Sequence, residues 1–277
     1  MAPVAQSERW LVALDIDGTL LTHRGEIDQR VIDTVAAVMA AGHEVMLATG
    51  RPMSETVPVI EQLGLSPEFV VCSNGAVVWK KDPLAPIGYS HDYVETFDPA
   101  LALETIRPHL PEGKYAVEDS NGDLYCTELF PVWSPNDKIF TVTYEELQHH
   151  QATRVVVIAP TADTEEFLVA VEKMGLHRVT YAIGMNNWLD ISPDGVNKAT
   201  GLEKVRAELG IDRSQCFTIG DGRNDIDMLR WAASGGGRGV VMGDAPSEVL
   251  EAGNEITGSA LELGVVEPLK RIPGVVA

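Results

Sequence analysis

Positive charge is scarce in this chain. Its 277 residues carry 21 Lys and Arg against 41 Asp and Glu, a formal net charge of −20 at pH 7. A nucleic-acid partner demands a basic face for its phosphate backbone, so that class is excluded. The same excess of acid denies long-range attraction to small anions, so a phosphate-binding site must rely on local cations. Cysteine is scarcer still: there are three, at no metal-ligand spacing and in no disulfide framework. Cys72 and Cys216 lie in apolar runs and read as core thiols, which suits a reducing cytoplasm. No apolar run approaches the roughly 20 residues that span a bilayer. Met1 to Arg9 has no basic stretch leading into an apolar one. Neither a membrane partner nor a secretory signal is therefore expected. Internal repeats and low-complexity tracts are lacking as well.

What is present is an ordinary globular composition, 45% apolar, in a chain long enough for one large domain or two modest ones. Short runs rich in Val, Ile and Leu recur at Trp10–Asp15, Glu44–Ala48, Phe69–Cys72, Cys216–Ile219, Gly239–Met242 and Glu255–Thr257. Such runs suit strands buried on both faces. Between them lie helical patterns: Val31, Ile32, Val35, Val38 and Met39 with Gly42 behind them, then a helix opened by Pro52 and closed before Gly64. This alternation predicts an α/β fold with a doubly wound parallel sheet. Ligands of such sheets bind beyond the carboxyl ends of the strands, where Asp15, Thr49 and Asp221 fall.

The middle of the chain differs. Ser120-Asn121-Gly122-Asp123 marks a hairpin between Tyr115–Glu118 and Leu124–Leu129. One helix is predicted from Asp98-Pro99 to about Leu110, another after Asp163 with Glu166 at capping-box distance and Gly175 beyond its end. Residues 82–190 therefore read as an inserted α+β unit, with 1–81 and 191–277 forming the core domain. Lys81-Asp82-Pro83 and Ser192-Pro193-Asp194-Gly195 suit the two connections.

Chemistry concentrates at the strand ends. Asp15 and Asp17, two residues apart after an apolar run, can share one face, and Gly18 lets the chain turn away. Two carboxylates so close favour a cation or a retained proton. Read alone, they would be a solvated strand end. Thr49-Gly50-Arg51, just before a helix, offers a hydroxyl and free N–H groups for an anion. Gly220-Asp221-Gly222-Arg223-Asn224-Asp225 follows another apolar strand and opens a helix, where acid residues also suit the macrodipole.

Asp15-Ile16-Asp17-Gly18-Thr19-Leu20-Leu21 resembles the first motif of the haloacid dehalogenase (HAD) superfamily, in its Cof-like branch of magnesium-dependent phosphatases. Ala48-Thr49-Gly50-Arg51, Lys198 and Gly220 to Asp225 match the remaining motifs in order, from Asp15 to about Gly264. The resemblance implies a Rossmann-like HAD core with an inserted α/β cap that selects substrates. It implies a phosphatase acting on small phosphate esters, such as sugar phosphates, through an aspartyl-phosphate. Asp15 would be the nucleophile, Asp17 the acid and base, and Lys198 the cation that steadies the nucleophile and phosphoryl oxygens. Mg²⁺ would be held by Asp15, the main-chain carbonyl of Asp17, and Asp221. Thr49, Gly50, Arg51, Lys198 and Asn224 would contact phosphate or substrate, and Asp225 would support the metal site or the lysine. A monomer or weak homodimer is the expected state.

Two alternatives remain open: a sugar-phosphate phosphomutase, and a phosphometabolite-binding protein without turnover. His149-His150 has no third ligand nearby in sequence and reads as a solvated helix end. Gly235-Gly236-Gly237-Arg238-Gly239 precedes a strand where phosphate-cradling loops follow one, so it reads as a flexible turn.

Overall fold

Leu11–Leu14 (β1) is apolar and buried at every position, so it belongs inside a sheet covered on both faces. The computed structural model describes residues 8–22, 25–129, 138–159, 165, 167, 179–184 and 187–276. In it β1 pairs in parallel with Glu44–Leu47 (β2) and, on its other side, with Cys216–Gly220 (β12). Arg238–Val241 (β13) and Glu255–Ile256 (β14) complete a parallel sheet of order β14-β13-β12-β1-β2.

Alternate residues of β1 feed opposite layers. Val12 and Leu14 pack with Val31, Val35 and Val38 of Gln29–Ala40 (α1) and Val59 and Ile60 of Met53–Gln62 (α2). Leu11 and Ala13 pack with Leu202 and Val205 of Lys198–Leu209 (α5) and Met228 and Leu229 of Ile226–Ser234 (α6). Each fully buried aliphatic side chain contributes roughly 1.5–3 kcal/mol, so the central strand is held from both faces. This is the predicted doubly wound α/β arrangement, and its parallel strands send their carboxyl ends to one edge.

Phe69–Cys72 (β3) touches β2 through a parallel bridge, Ala48 with Val71, but its own ladder is antiparallel, to Val77–Lys81 (β4). Tyr89–Val94 (β5) returns to pair with β4. Lys81-Asp82-Pro83 therefore lies at the turn of a hairpin, where the Asp82 N–H donates to the Gly88 carbonyl at 2.8 Å. The backbone changes partners later: Glu95 N–H donates to Ala76, and Phe97 N–H to Ala152.

Six strands beyond that point form a second sheet, ordered β10-β11-β9-β6-β7-β8. They are Lys114–Glu118 (β6), Leu124–Cys126 (β7), Ile139–Thr141 (β8), Arg154–Ile158 (β9), Val179–Gly184 (β10) and Trp188–Pro193 (β11). One face packs Tyr115, Val117, Val155, Val157 and Leu189 onto Leu103 and Ile106 of Ala100–Ile106 (α3) and Leu147 of Tyr144–Leu147 (α4). By register the other face carries Ala116, Glu118, Arg154, Val156 and Asp190.

The hairpin turn after β6 forms as predicted, with Asp119 Oδ1 accepting from the N–H groups of Asn121 and Asp123. The helix expected after Asp163, with Glu166 and Gly175 as its signals, lies outside the described residues. All three cysteines are buried and unpaired with one another. The glycine-rich segment forms a turn before a strand, as the sequence predicts, and Gly237 lies against the Cys216 and Arg213 carbonyls, where a Cβ would sit 2.3 and 2.8 Å away. This close-packed turn leads into β13 and lies beside the start of β12, the end of that strand away from Asp221. Among the described residues no helix is long and apolar enough to cross a membrane.

Candidate active site

Asp15 leaves β1 with its N–H donating to the Ile219 carbonyl at 3.1 Å, which ties the end of β1 to β12. The carboxylates of Asp15, Asp221 and Asp225 each place an oxygen within 4.8 Å of the others. Gly18 is what lets two of these loops meet. Its φ is +75°, and a Cβ there would lie 2.2 Å from Asp221 Oδ2, so any larger residue would collide with the carboxylate. Thr19 Oγ1 donates to Asp221 Oδ1 at 3.3 Å from the same turn.

Lys198 opens α5 fully buried and donates to Asp15 Oδ1 at 2.6 Å and Asp225 Oδ1 at 2.7 Å. Burial opposes its charge, but the fields of Asp15 and Asp225 outweigh that, and its pKa is raised above the ordinary lysine range. The lysine is thus a fixed cation. Asp225 Oδ2 accepts from the N–H groups of Asp221 and Gly222 at 3.0 and 2.9 Å. Both Asp225 oxygens are therefore committed, whereas among the described residues Asp15 Oδ2 accepts from none.

One ammonium faces three carboxylates. Burial, then the charge of Asp225, raise the Asp15 pKa well above its ordinary value, against the pull of Lys198. Burial and Asp225 likewise push Asp221 up to about 7, with Lys198 and Thr19 opposing. Hard oxygen donors with surplus negative charge fit a divalent cation such as Mg²⁺, and Asp15 and Asp221 are the side chains able to hold it.

The remaining predicted residues fall into two groups. Thr49 is buried, and its carbonyl accepts from Asn74 N–H at 3.1 Å while its Oγ1 accepts from Arg51 N–H at 3.1 Å. Asn224 Nδ2 donates to Asn74 Oδ1 at 3.0 Å, which links it to the Thr49-Gly50 loop. Asp17 and Arg51 pair with each other, Nε to Oδ2 at 2.8 Å and Nη2 to Oδ1 at 2.5 Å, with the Asp17 side chain 61% exposed. Arg51 is directed at this carboxylate, and Asp17 lies outside the cluster of three. His150 stacks on Tyr125 at 3.7 Å, a packing role consistent with its reading as a non-site residue.

Sequence reasoning missed Ser73-Asn74-Gly75. This turn follows an apolar strand, the same signal that singled out Thr49 and Asp221, but it carries no charge to draw notice. Ser73, Asn74 and Gly75 have φ of 49°, 53° and 98°. Left-handed backbone costs on the order of 1–2 kcal/mol for each non-glycine residue. Gly75 allows the turn to abut α5, since a Cβ would lie 2.0 Å from the Asn197 carbonyl oxygen.

The fold and site define the class: a doubly wound α/β protein whose strand ends gather three carboxylates around one buried lysine. Within that class the chain belongs to the haloacid dehalogenase-like hydrolase family, which it matches over residues 12–269. It is 26% identical to the 5-amino-6-(5-phospho-D-ribitylamino)uracil phosphatase YitU of Bacillus subtilis, over 96% of this chain and 98% of that protein. It is 28% identical to the phosphoglycolate phosphatase of Natronomonas pharaonis, over 94% of this chain and 96% of that one. The solved structure of BT4131, described as a HAD subclass IIB sugar phosphatase, superposes with a TM-score of 0.79 at 21% identity. That superposition covers 96% of this chain and all of the other, and shows the shared fold.

Proposed function

We propose that this protein is a Mg²⁺-dependent phosphatase of small phosphate monoesters, and that Asp15 is its nucleophile. The observation that carries the reading is the asymmetry of the carboxylates around Lys198. Asp225 is fully engaged as a brace, Asp15 keeps Oδ2 available beside a fixed ammonium, and Asp221 completes the cation site. Asp15 Oδ2 would attack phosphorus as the ester P–O bond breaks, giving an aspartyl-phosphate and an alcohol. Asp17, exposed at the mouth of the site, would protonate the departing alkoxide and later take a proton from the attacking water. Its pair with Arg51 has to part for either transfer, so Arg51 holds the acid in place between turnovers rather than gripping phosphate. Thr49, Gly50 and Asn224 would contact the phosphoryl group, with Lys198 opposing charge on its oxygens. Mg²⁺, held by Asp15, Asp221 and the Asp17 carbonyl, would neutralise charge on the transferring oxygens.

The named activities of the similar proteins, on a phosphorylated ribityl compound, phosphoglycolate and sugar phosphates, support small metabolites as the substrate class. The six-stranded sheet would serve as the cap proposed for residues 82–190, with its working boundary near Glu95–Phe97, where the backbone changes partners. Three buried free thiols suit a cytoplasmic protein. The test is phosphate release from p-nitrophenyl phosphate, with Mg²⁺ and after chelation. Equal rates in both would sink the metal-dependent reading, and no release with Mg²⁺ would sink the phosphatase.

A further inference from the structure

Two buried charges of the six-stranded sheet meet the strand-end loops, and the chemistry above makes no use of them. Glu118 ends β6 and Arg154 opens β9 directly opposite, at 0% and 6% exposure. Arg154 Nε and Nη2 donate to Glu118 Oε2 at 3.0 and 2.6 Å. Its Nη1 reaches out of the sheet to the Gly50 carbonyl at 2.7 Å and lies 3.4 Å from Asp190 Oδ1. The other Glu118 oxygen, Oε1, accepts from Ser73 Oγ. One ion pair on one sheet thus holds both the Thr49-Gly50-Arg51 loop and the Ser73-Asn74-Gly75 turn.

That turn is where position is hardest to keep. Consecutive left-handed residues persist only where the surroundings over-determine them, and the buried Ser73–Glu118 bond is such a restraint. From the turn, contacts run straight to the proposed machinery. Asn74 accepts from Asn224 and lies against Gly50, and Gly75 abuts the Asn197 carbonyl and Lys198 N–H. With its donors on Glu118, Gly50 and Asp190, Arg154 is a strut and not a substrate ligand.

We infer that Glu118 and Arg154 are positioning residues: the docked six-stranded sheet uses them to fix Gly50 and the Ser73–Gly75 turn, and through these Asn224 and Lys198, for phosphoryl transfer. Closure over the substrate and alignment of the anion loops are then one event. The inference rests on the phosphatase reading for its consequence in turnover, but its structural half stands apart. Arg154 reaches Glu118 and the Gly50 carbonyl with separate nitrogens of one planar guanidinium, a fork that the point-like ammonium of a lysine at residue 154 lacks.

The test compares Arg154→Lys, Ser73→Ala and the double variant, measuring kcat and KM on p-nitrophenyl phosphate and amide hydrogen exchange. The expected result for Arg154→Lys is a kcat at least tenfold lower, KM within threefold, and exchange at Ser73 and Asn74 at least tenfold faster. Ser73→Ala should lose kcat in the same sense, and the double variant should lose less than the product of the two. Folded single variants with kcat within twofold of wild type would overturn the inference. So would accelerated exchange spread evenly through the six-stranded sheet, which marks a merely structural pair. Should Arg154→Lys fail to fold, Ser73→Ala decides by the same limits, since it leaves the ion pair intact. A wild-type protein without Mg²⁺-dependent turnover would sink the phosphatase reading instead. Exchange would then decide alone, with unchanged protection at Ser73 and Asn74 overturning the inference.

Discussion

Two buried charge clusters lie close together in this protein, and they are built on opposite plans. Around Lys198, three carboxylates share one ammonium, and burial with mutual repulsion drives Asp15 and Asp221 toward protonation. Around Arg154, one guanidinium faces two carboxylates, bonded twice to Glu118 and 3.4 Å from Asp190, with Ser73 and Gly50 taking up the remaining hydrogen-bonding capacity. The second cluster has one carboxylate fewer, and its hydrogen bonds are taken up by Ser73 and the Gly50 carbonyl. The first is left short of positive charge, which disfavours the empty protein and favours a bound cation. A buried cluster that cannot satisfy itself is the one to read as a site.

Substitutions should separate the plans. The largest effect is expected from Asp15→Asn, which keeps the side chain's shape but removes the proposed nucleophile. Turnover on p-nitrophenyl phosphate should fall at least ten-thousand-fold, about 5.5 kcal/mol in barrier, with unchanged circular dichroism. A loss of tenfold or less would sink the assignment. Next in size is Arg154→Met, which strands Glu118 without its counter-charge. Denaturant unfolding should show a loss of about 3–5 kcal/mol. A loss below about 1 kcal/mol would mean that Arg154 is not what neutralises Glu118 in the folded protein.

Asp221→Asn should leave the fold intact but raise the Mg²⁺ concentration for half-maximal rate about a hundredfold, some 2.7 kcal/mol. An unchanged titration midpoint would refute its role as a ligand. The smallest expected effect concerns pH. Asp221 is pushed up to about 7 in the folded protein, chiefly by burial and then by Asp225. The folded state therefore binds this proton more tightly than the unfolded chain. Stability from this group is fully present below its ordinary, unfolded pKa of about 3.9. It is lost as pH rises from there to about 7. In chelator, wild type should lose a few degrees of Tm across that window relative to Asp221→Asn, and saturating Mg²⁺ should close the gap. Parallel Tm curves for the two proteins in chelator would show that Asp221 carries no such strain.

Much of this is legible in the sequence. Short Val- and Ile-rich runs between amphipathic helices fix a doubly wound sheet, because only strands covered on both faces can afford to be apolar throughout. Asp15, Thr49 and Asp221 stand at strand ends in the sequence and meet at one edge in space because the strands are parallel. Lys198 carries little local signal, since a single lysine is usually solvated, and its assignment rests on the family resemblance. Its burial between Asp15 and Asp225 is a contact between residues 183 and 27 positions apart, which no local pattern reports.

Other features belong to tertiary structure alone. Asp17 reads as a partner of Asp15 by its two-residue spacing, yet the turn at Gly18 leaves it facing Arg51. The chain from Asp82 to Val94 reads as the start of an insertion, yet β5 finds its hydrogen bonds on β4, because pairing is decided by which edge is open. Glu118 and Arg154 sit in strands whose alternation says only that they share a face. What that face meets, Gly50 and the left-handed turn at Ser73 and Asn74, depends on how the two sheets dock. The sequence by itself determined the strand ends and the kinds of side chain they present, because periodicity and turn chemistry are local. Which carboxylate is braced, which is left open, and which loops are strutted across the sheets were decided by contacts between distant segments, and distance along the chain hides them.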